Sequence, residues 1–93
     1  MRTIDRTNQF KRDYKRELKG QHRATLESDL VEVLKSLVND LPLAGRCHDH
    51  ALTGDWKSFR DCHIKPDLVL IYQKPDNKIL QLVRIGSHSE LGL

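Results

Sequence analysis

A chain of 93 residues with a net charge of +3 makes one domain, spanning 1–93, and leaves no room for a second core. Apolar residues at 38% and charged ones at 31% exclude a disordered or fibrous chain, and with aromatics at only 5% the core falls to Leu, Ile and Val. The charged N-terminal stretch lacks the apolar core of a secretory signal, and no uncharged run is long enough to span a bilayer, so a cytoplasmic protein with no membrane partner is expected. Cys47 and Cys62 are too few to staple a small secreted scaffold, and free thiols are their expected state.

The charge is uneven. Residues 1–23 hold eight Lys or Arg against three acids, a net +5, while the remainder holds eight against ten, a net −2. The basic segment is suited to a polyanion through counterion release, or is simply a solvated helix face.

In chain order, Thr3 and Ile4 suit a short opening strand. Thr7 offers an N-cap hydroxyl, and Phe10, Tyr14 and Leu18 recur every fourth residue, predicting a helix over 8–19 ended by Gly20. Lys11, Arg12, Lys15, Arg16 and Lys19 fall outside that stripe and are expected on the surface. Leu26, Leu30, Val33, Leu34, Leu37, Val38 and Leu41 predict a second helix over 25–41, stopped by Pro42. From Gly45 the period changes. Residues 56–64 alternate, with Phe59, Asp61 and His63 on one parity and Arg60, Cys62 and Ile64 on the other. Residues 68–72 form an apolar run that reads as a central strand, residues 74–78 reverse the chain, and residues 79–85 return as the last strand, with 87–93 a tail. The predicted fold class is α+β: an antiparallel sheet with the two N-terminal helices packed on one face and the other face partly open.

Four of the five histidines lie in 48–67 and 84–88, together with Asp67 and Arg84. Cys47, His48, His50, Cys62 and His63 are possible zinc ligands, but Cys62 and His63 are neighbours on a strand and point to opposite faces, so a metal-free set is preferred and no cofactor is expected. Cys62 shares a parity with Ile64 and reads as a small buried hydrophobe rather than a nucleophile. What remains is acid–base cleavage of RNA. The 2′-OH is its own nucleophile, so a proton acceptor, a proton donor and a cation for the phosphate suffice.

The runs D-H-A-L-T-G-D-W-K-S-F-R-D-C-H-I-K-P-D-L-V-L-I-Y and R-I-G-S-H-S-E-L resemble the YafQ branch of the RelE/ParE superfamily of bacterial toxins, and T-N-Q-F-K-R-D and L-P-L extend the likeness over essentially the whole chain. The resemblance implies a RelE-like fold and a ribosome-dependent endoribonuclease that cuts mRNA. It also implies restraint by a cognate antitoxin, with operator DNA bound only as the toxin–antitoxin complex. Carried over by motif, the catalytic set is His50, His63, Asp67, Arg84 and His88, with His88 as general acid, His50 as base and Arg84 as phosphate cation. Asp67 reads equally well as a cap on local amides or as the orienting group of a histidine. Lys11, Lys15 and Arg60 are the candidate RNA contacts, and His48 is an extra histidine left without a role. Where relatives carry an aromatic residue after the last histidine, this chain has Gly92 and Leu93, leaving Leu91 or Leu93 to supply an apolar contact. The alternative on the same fold is a ParE-like toxin that inhibits a topoisomerase and cleaves nothing; such toxins generally lack the histidine set.

Overall fold

The computed structural model describes residues 1–93. The elements run β1 (Thr3–Arg6), α1 (Asn8–Leu18), α2 (Leu26–Val38), β2 (His50–Ala51), β3 (Arg60–Lys65), β4 (Leu68–Gln73), β5 (Ile79–Gly86) and α3 (His88–Leu91), with single 3-10 turns at Gly45–Cys47 and Gly54–Trp56. The five strands form one sheet in the order β1-β5-β4-β3-β2. The meander β3 to β5 is antiparallel as expected, with β3 beginning at Arg60 rather than at 56; β2 adds a short antiparallel strand that was not expected, and β1 lies parallel to β5, so the sheet is mixed rather than antiparallel. The helical pair between β1 and the meander is the crossover that a parallel neighbour requires.

The Thr7 hydroxyl caps α1 by accepting from the Phe10 N–H at 3.0 Å, as its position implied. The second helix stops at Val38, three residues before the expected Leu41. Asp40 takes a left-handed conformation (φ 54°), the Leu41 N–H returns to the Ser36 carbonyl, and the Asp40 N–H to that of Leu37. Arg2 and Lys74 both bind the Asp40 carboxylate, tying this helix end to β1 and to the β4–β5 turn.

Both helices cover one sheet face, where Phe10, Leu26, Leu30, Val33 and Leu37 pack on Cys62, Leu68, Leu70, Tyr72, Leu80, Leu82 and Ile85. The opposite face carries a smaller cluster: Val69, Ile71 and Leu91 are buried, with Leu52, Trp56, Phe59 and Val83 against them. Trp56 and Phe59 meet edge to face at 5.4 Å and pack, partly buried, against this cluster. The tail expected after Gly86 is instead the short helix α3, closed by a capping box between Ser87 and Glu90.

Candidate active site

The site is built on the sheet face opposite the helices. Strand register places His50 opposite Asp61, Asp61 opposite Ile71 and Ile71 opposite Arg84, a row crossing four strands. A second row runs from His63 to Val69 to Gly86, and α3 begins two residues on at His88. The result is a run of imidazoles: His48 lies 5.3 Å from His63, and His63 5.1 Å from His88, centroid to centroid.

His50 has both ring nitrogens engaged. Nδ1 lies 2.7 Å from the His48 carbonyl, which can only accept, so Nδ1 donates. Nε2 lies 3.0 Å from Asp61 Oδ1, an oxygen with no other partner. With His50 neutral, no N–H faces that oxygen, and the contact becomes a hydrogen bond once a proton sits on Nε2 or on the carboxyl. Burial raises the pKa of Asp61, against the opposing pull of the nearby imidazoles of His50, His63 and His88. Burial, followed by repulsion from the neighbouring imidazoles, lowers that of His63 and favours its neutral form. Asp67 Oδ1 is 3.9 Å from His88 Nδ1, a loose contact at an exposed carboxylate, so Asp67 stands beside a histidine rather than far from the cluster.

Arg84 is not a free cation. Its Nε and Nη2 bind the two oxygens of Asp13 at 2.9 and 3.1 Å, and Asp13 is completely buried. It keeps its place on the flank of the site, two strands from Asp61, roughly 10 Å by strand spacing. Arg60 likewise pairs with Asp49 at 3.3 Å, whereas Lys11 and Lys15 are exposed on α1. Cys47 and Cys62 belong to the helix-side core and burial pushes the Cys62 thiol up, so the mixed Cys/His zinc set does not assemble. Leu91 is buried against Val69 and Ile71, which leaves Leu93 as the exposed apolar side chain at the C-terminus.

Three groups of consequence were not assigned from sequence. His48, without a role there, joins the imidazole run through its left-handed conformation (φ 46°). Asp61 shares its strand parity with His63, a signal that places the two on one face but does not reveal that His50 lands on the carboxylate. Asp13 flanks the α1 stripe one residue before Tyr14, where a carboxylate gave no hint of burial.

The family described as "Bacterial toxin of type II toxin-antitoxin system, YafQ" matches residues 2–92. The mRNA interferase toxin YafQ of Escherichia coli strain K12 is 34% identical over 90 residues, covering 95% of this chain and 97% of that protein. A copper-bound mutant toxin from Helicobacter pylori superposes with a TM-score of 0.86 at 41% identity, covering 98% of this chain and 99% of its own. The E. coli DinJ–YafQ complex gives 0.82 at 37% identity, with 98% of both chains covered. In the present chain no group of three His, Cys, Asp or Glu side chains has an arrangement that could hold a metal ion.

Proposed function

We propose how the imidazole cluster does its work in this chain, which belongs to the YafQ family of bacterial type II toxin–antitoxin toxins. It is a toxin and an mRNA interferase, an endoribonuclease of the translating message, kept in check by a cognate antitoxin as E. coli YafQ is bound by DinJ. The ParE-like alternative finds no support: the matching family is the YafQ one, and the E. coli relative is named for cutting mRNA.

The observation that carries the reading is that His50, His63 and His88 lie together with Asp61 and Asp67 on one face, in unlike electrostatic settings. General acid–base catalysis needs this asymmetry, one group ready to accept a proton while another is ready to give one. His63, kept neutral by burial and by its neighbours, takes the proton of the 2′-OH as that oxygen attacks the adjacent phosphorus. His88, beside the Asp67 carboxylate, protonates the departing 5′-oxygen. The base role falls to His63 rather than His50, because the His50 nitrogens are occupied; the His50–Asp61 pair instead shares a proton at the edge of the site, which neutralises the Asp61 carboxylate where it would otherwise repel the crowded phosphate. Arg84 adds its field from the flank while Asp13 fixes its orientation. Lys11 and Lys15 supply affinity for the RNA backbone and Arg60 lines the approach. The products are a 2′,3′-cyclic phosphate and a 5′-hydroxyl. The antitoxin-bound toxin is the form that contacts operator DNA, and the cytoplasm, where translation occurs, is the place of action.

Primer extension across transcripts after brief expression tests the reading. The wild-type chain is expected to leave discrete stops within translated regions, and His88→Ala to leave none while folding normally. Intact messages with the wild type, or unchanged stops with His88→Ala, would overturn it.

A further inference from the structure

Asp49 stands between two histidines of the site, yet its carboxylate reaches neither. Oδ1 accepts from the Tyr72 hydroxyl at 2.6 Å and from Arg60 Nε at 3.3 Å. Tyr72 is 1% exposed and sits in the helix-side core, paired in register with Arg60 across β3 and β4. A carboxylate receiving two donors, one from a buried ring and one from an adjacent strand, is a fixed point between Cys47, buried in the helix-side core, and β2, which is two residues long and pairs with β3 only at His50 and Ala51.

The conformation held there is specific. His48 is left-handed (φ 46°, ψ 47°), a conformation that a residue with a Cβ adopts only where its surroundings hold it. It turns the His48 carbonyl onto His50 Nδ1, 2.7 Å away, and sets the His48 ring beside His63. Because Nδ1 donates to that carbonyl, the other nitrogen, Nε2, is the one aimed at Asp61. The backbone at 48 therefore decides which nitrogen of His50 faces the site.

We propose that Asp49 is a positioning residue for the cleavage reaction: clamped to Tyr72 and Arg60, it holds His48 left-handed and thereby keeps His50 protonated on Nδ1 with Nε2 directed at Asp61. The assignment rests on the reading of the imidazole cluster as the reaction centre. It also makes Arg60 a strut of the site besides a surface cation. Neither Asp49 nor Tyr72 touches the reacting atoms in this scheme.

Two readouts test it. The first, independent of cleavage, is the 15N shifts of the histidine rings in the free protein. His50 is expected to show a fully protonated Nδ1 in the wild type and an averaged pair of tautomers in Asp49→Ala. Tyr72→Phe, which removes one donor far from any RNA, should move the signal in the same direction, and Asp49→Asn should restore it, because an amide oxygen accepts both bonds. The second is single-turnover cleavage of ribosome-bound mRNA, where Asp49→Ala should lower the maximal rate roughly 10–100-fold with apparent ribosome affinity unchanged. Asp49→Asn should stay close to wild type. Val38→Ala, a core change at the far end of α2, serves as the control for lost stability. Unchanged His50 shifts in Asp49→Ala would overturn the proposal, as would a rate loss matched by Val38→Ala at equal loss of melting temperature. A tautomer change in a protein that does not cleave mRNA would sink the catalytic reading and leave the positioning intact; full cleavage with unchanged shifts would do the reverse.

Discussion

The guanidinium of Arg84 grips the carboxylate of Asp13 with two nitrogens, joining β5 to α1 across 71 residues of sequence. Asp13 also accepts from the Ile85 N–H, and Arg16 Nη2 donates to the Ile85 carbonyl. Past Arg6, where β1 ends, side chains of α1 thus take the place of a missing strand on the edge of β5. That edge leads directly into α3 and His88.

Asp13→Asn should therefore cost stability on the order of 2–3 kcal/mol, the scale of a charge-assisted bond lost at a buried site. The effect depends on pH. Burial alone would raise the Asp13 carboxyl, but hydrogen bonds from Arg84, Gln9 and the Ile85 backbone outweigh it and hold its pKa below the usual carboxylate range. A lowered folded-state pKa gives stability that is fully present above the unfolded value, about 3.9, and disappears as pH falls through the folded one. Urea titrations of the two proteins should differ at pH 7 and begin to draw together only below about pH 4, converging once pH has fallen through the folded-state value.

Asp61 has the opposite sign. Its pKa is raised, chiefly by burial, so the folded protein bears a cost that is complete once pH has risen past the folded-state value. Asp61→Asn is expected to raise the melting temperature at neutral pH by a few degrees while cutting mRNA cleavage by at least about tenfold. The stability gain should shrink as pH falls toward the value where the wild-type carboxyl is itself protonated. A variant that is both less stable at pH 7 and fully active would contradict this account of the pair.

Gly86 lies where a Cβ would meet Arg16 Nη2 at 2.9 Å and Glu90 Oε1 at 3.3 Å. Arg16 Nε binds Glu90 at 3.1 Å, and Glu90 completes the capping box of the helix that begins with His88. Gly86→Ala is expected to push the Arg16 side chain aside, since its far end is flexible, and to loosen α3 at a stability cost under about 1 kcal/mol. Cleavage should fall several-fold. Combined with Glu90→Ala, the two losses should be less than additive, because both break the same contact.

Lys11 and Lys15 make no ion pair and stand exposed on α1. Replacing both with Ala should weaken ribosome binding and reduce the slope of log affinity against log salt by roughly 2, one for each released counterion. The maximal cleavage rate should not change. A drop in that rate at saturating ribosomes would place these lysines in the chemistry rather than in docking.

Local patterns made most of the fold legible. The four-residue spacing of Phe10 and Tyr14, the leucine period of 26–37 and the apolar run at 68–72 each placed an element within a few residues of where it lies. The parallel pairing of β1 was not legible, because four exposed residues contain no sign of their partner's direction. Of the site, the gathering of His63 and His88 was within reach, since strand parity and chain reversal place their ends together. The engagement of Arg84 by Asp13 was not: it links positions 71 apart through a buried carboxylate, and no spacing rule covers such a pair. His48 was passed over for a related reason. Its membership depends on a left-handed backbone held by Asp49 and Tyr72, an arrangement that only the packed structure reveals.

The claim that the message supplies its own nucleophile can be tested on one atom. A short mRNA carrying a single 2′-deoxynucleotide at the mapped cleavage position, loaded on ribosomes and exposed to the toxin, is expected to remain whole, while its all-ribose counterpart is cut to a 2′,3′-cyclic phosphate and a 5′-hydroxyl. Cleavage of the deoxy-substituted message at the same bond and at a comparable rate would show that the attacking oxygen comes from elsewhere, and the acid–base scheme built on His63 and His88 would fail.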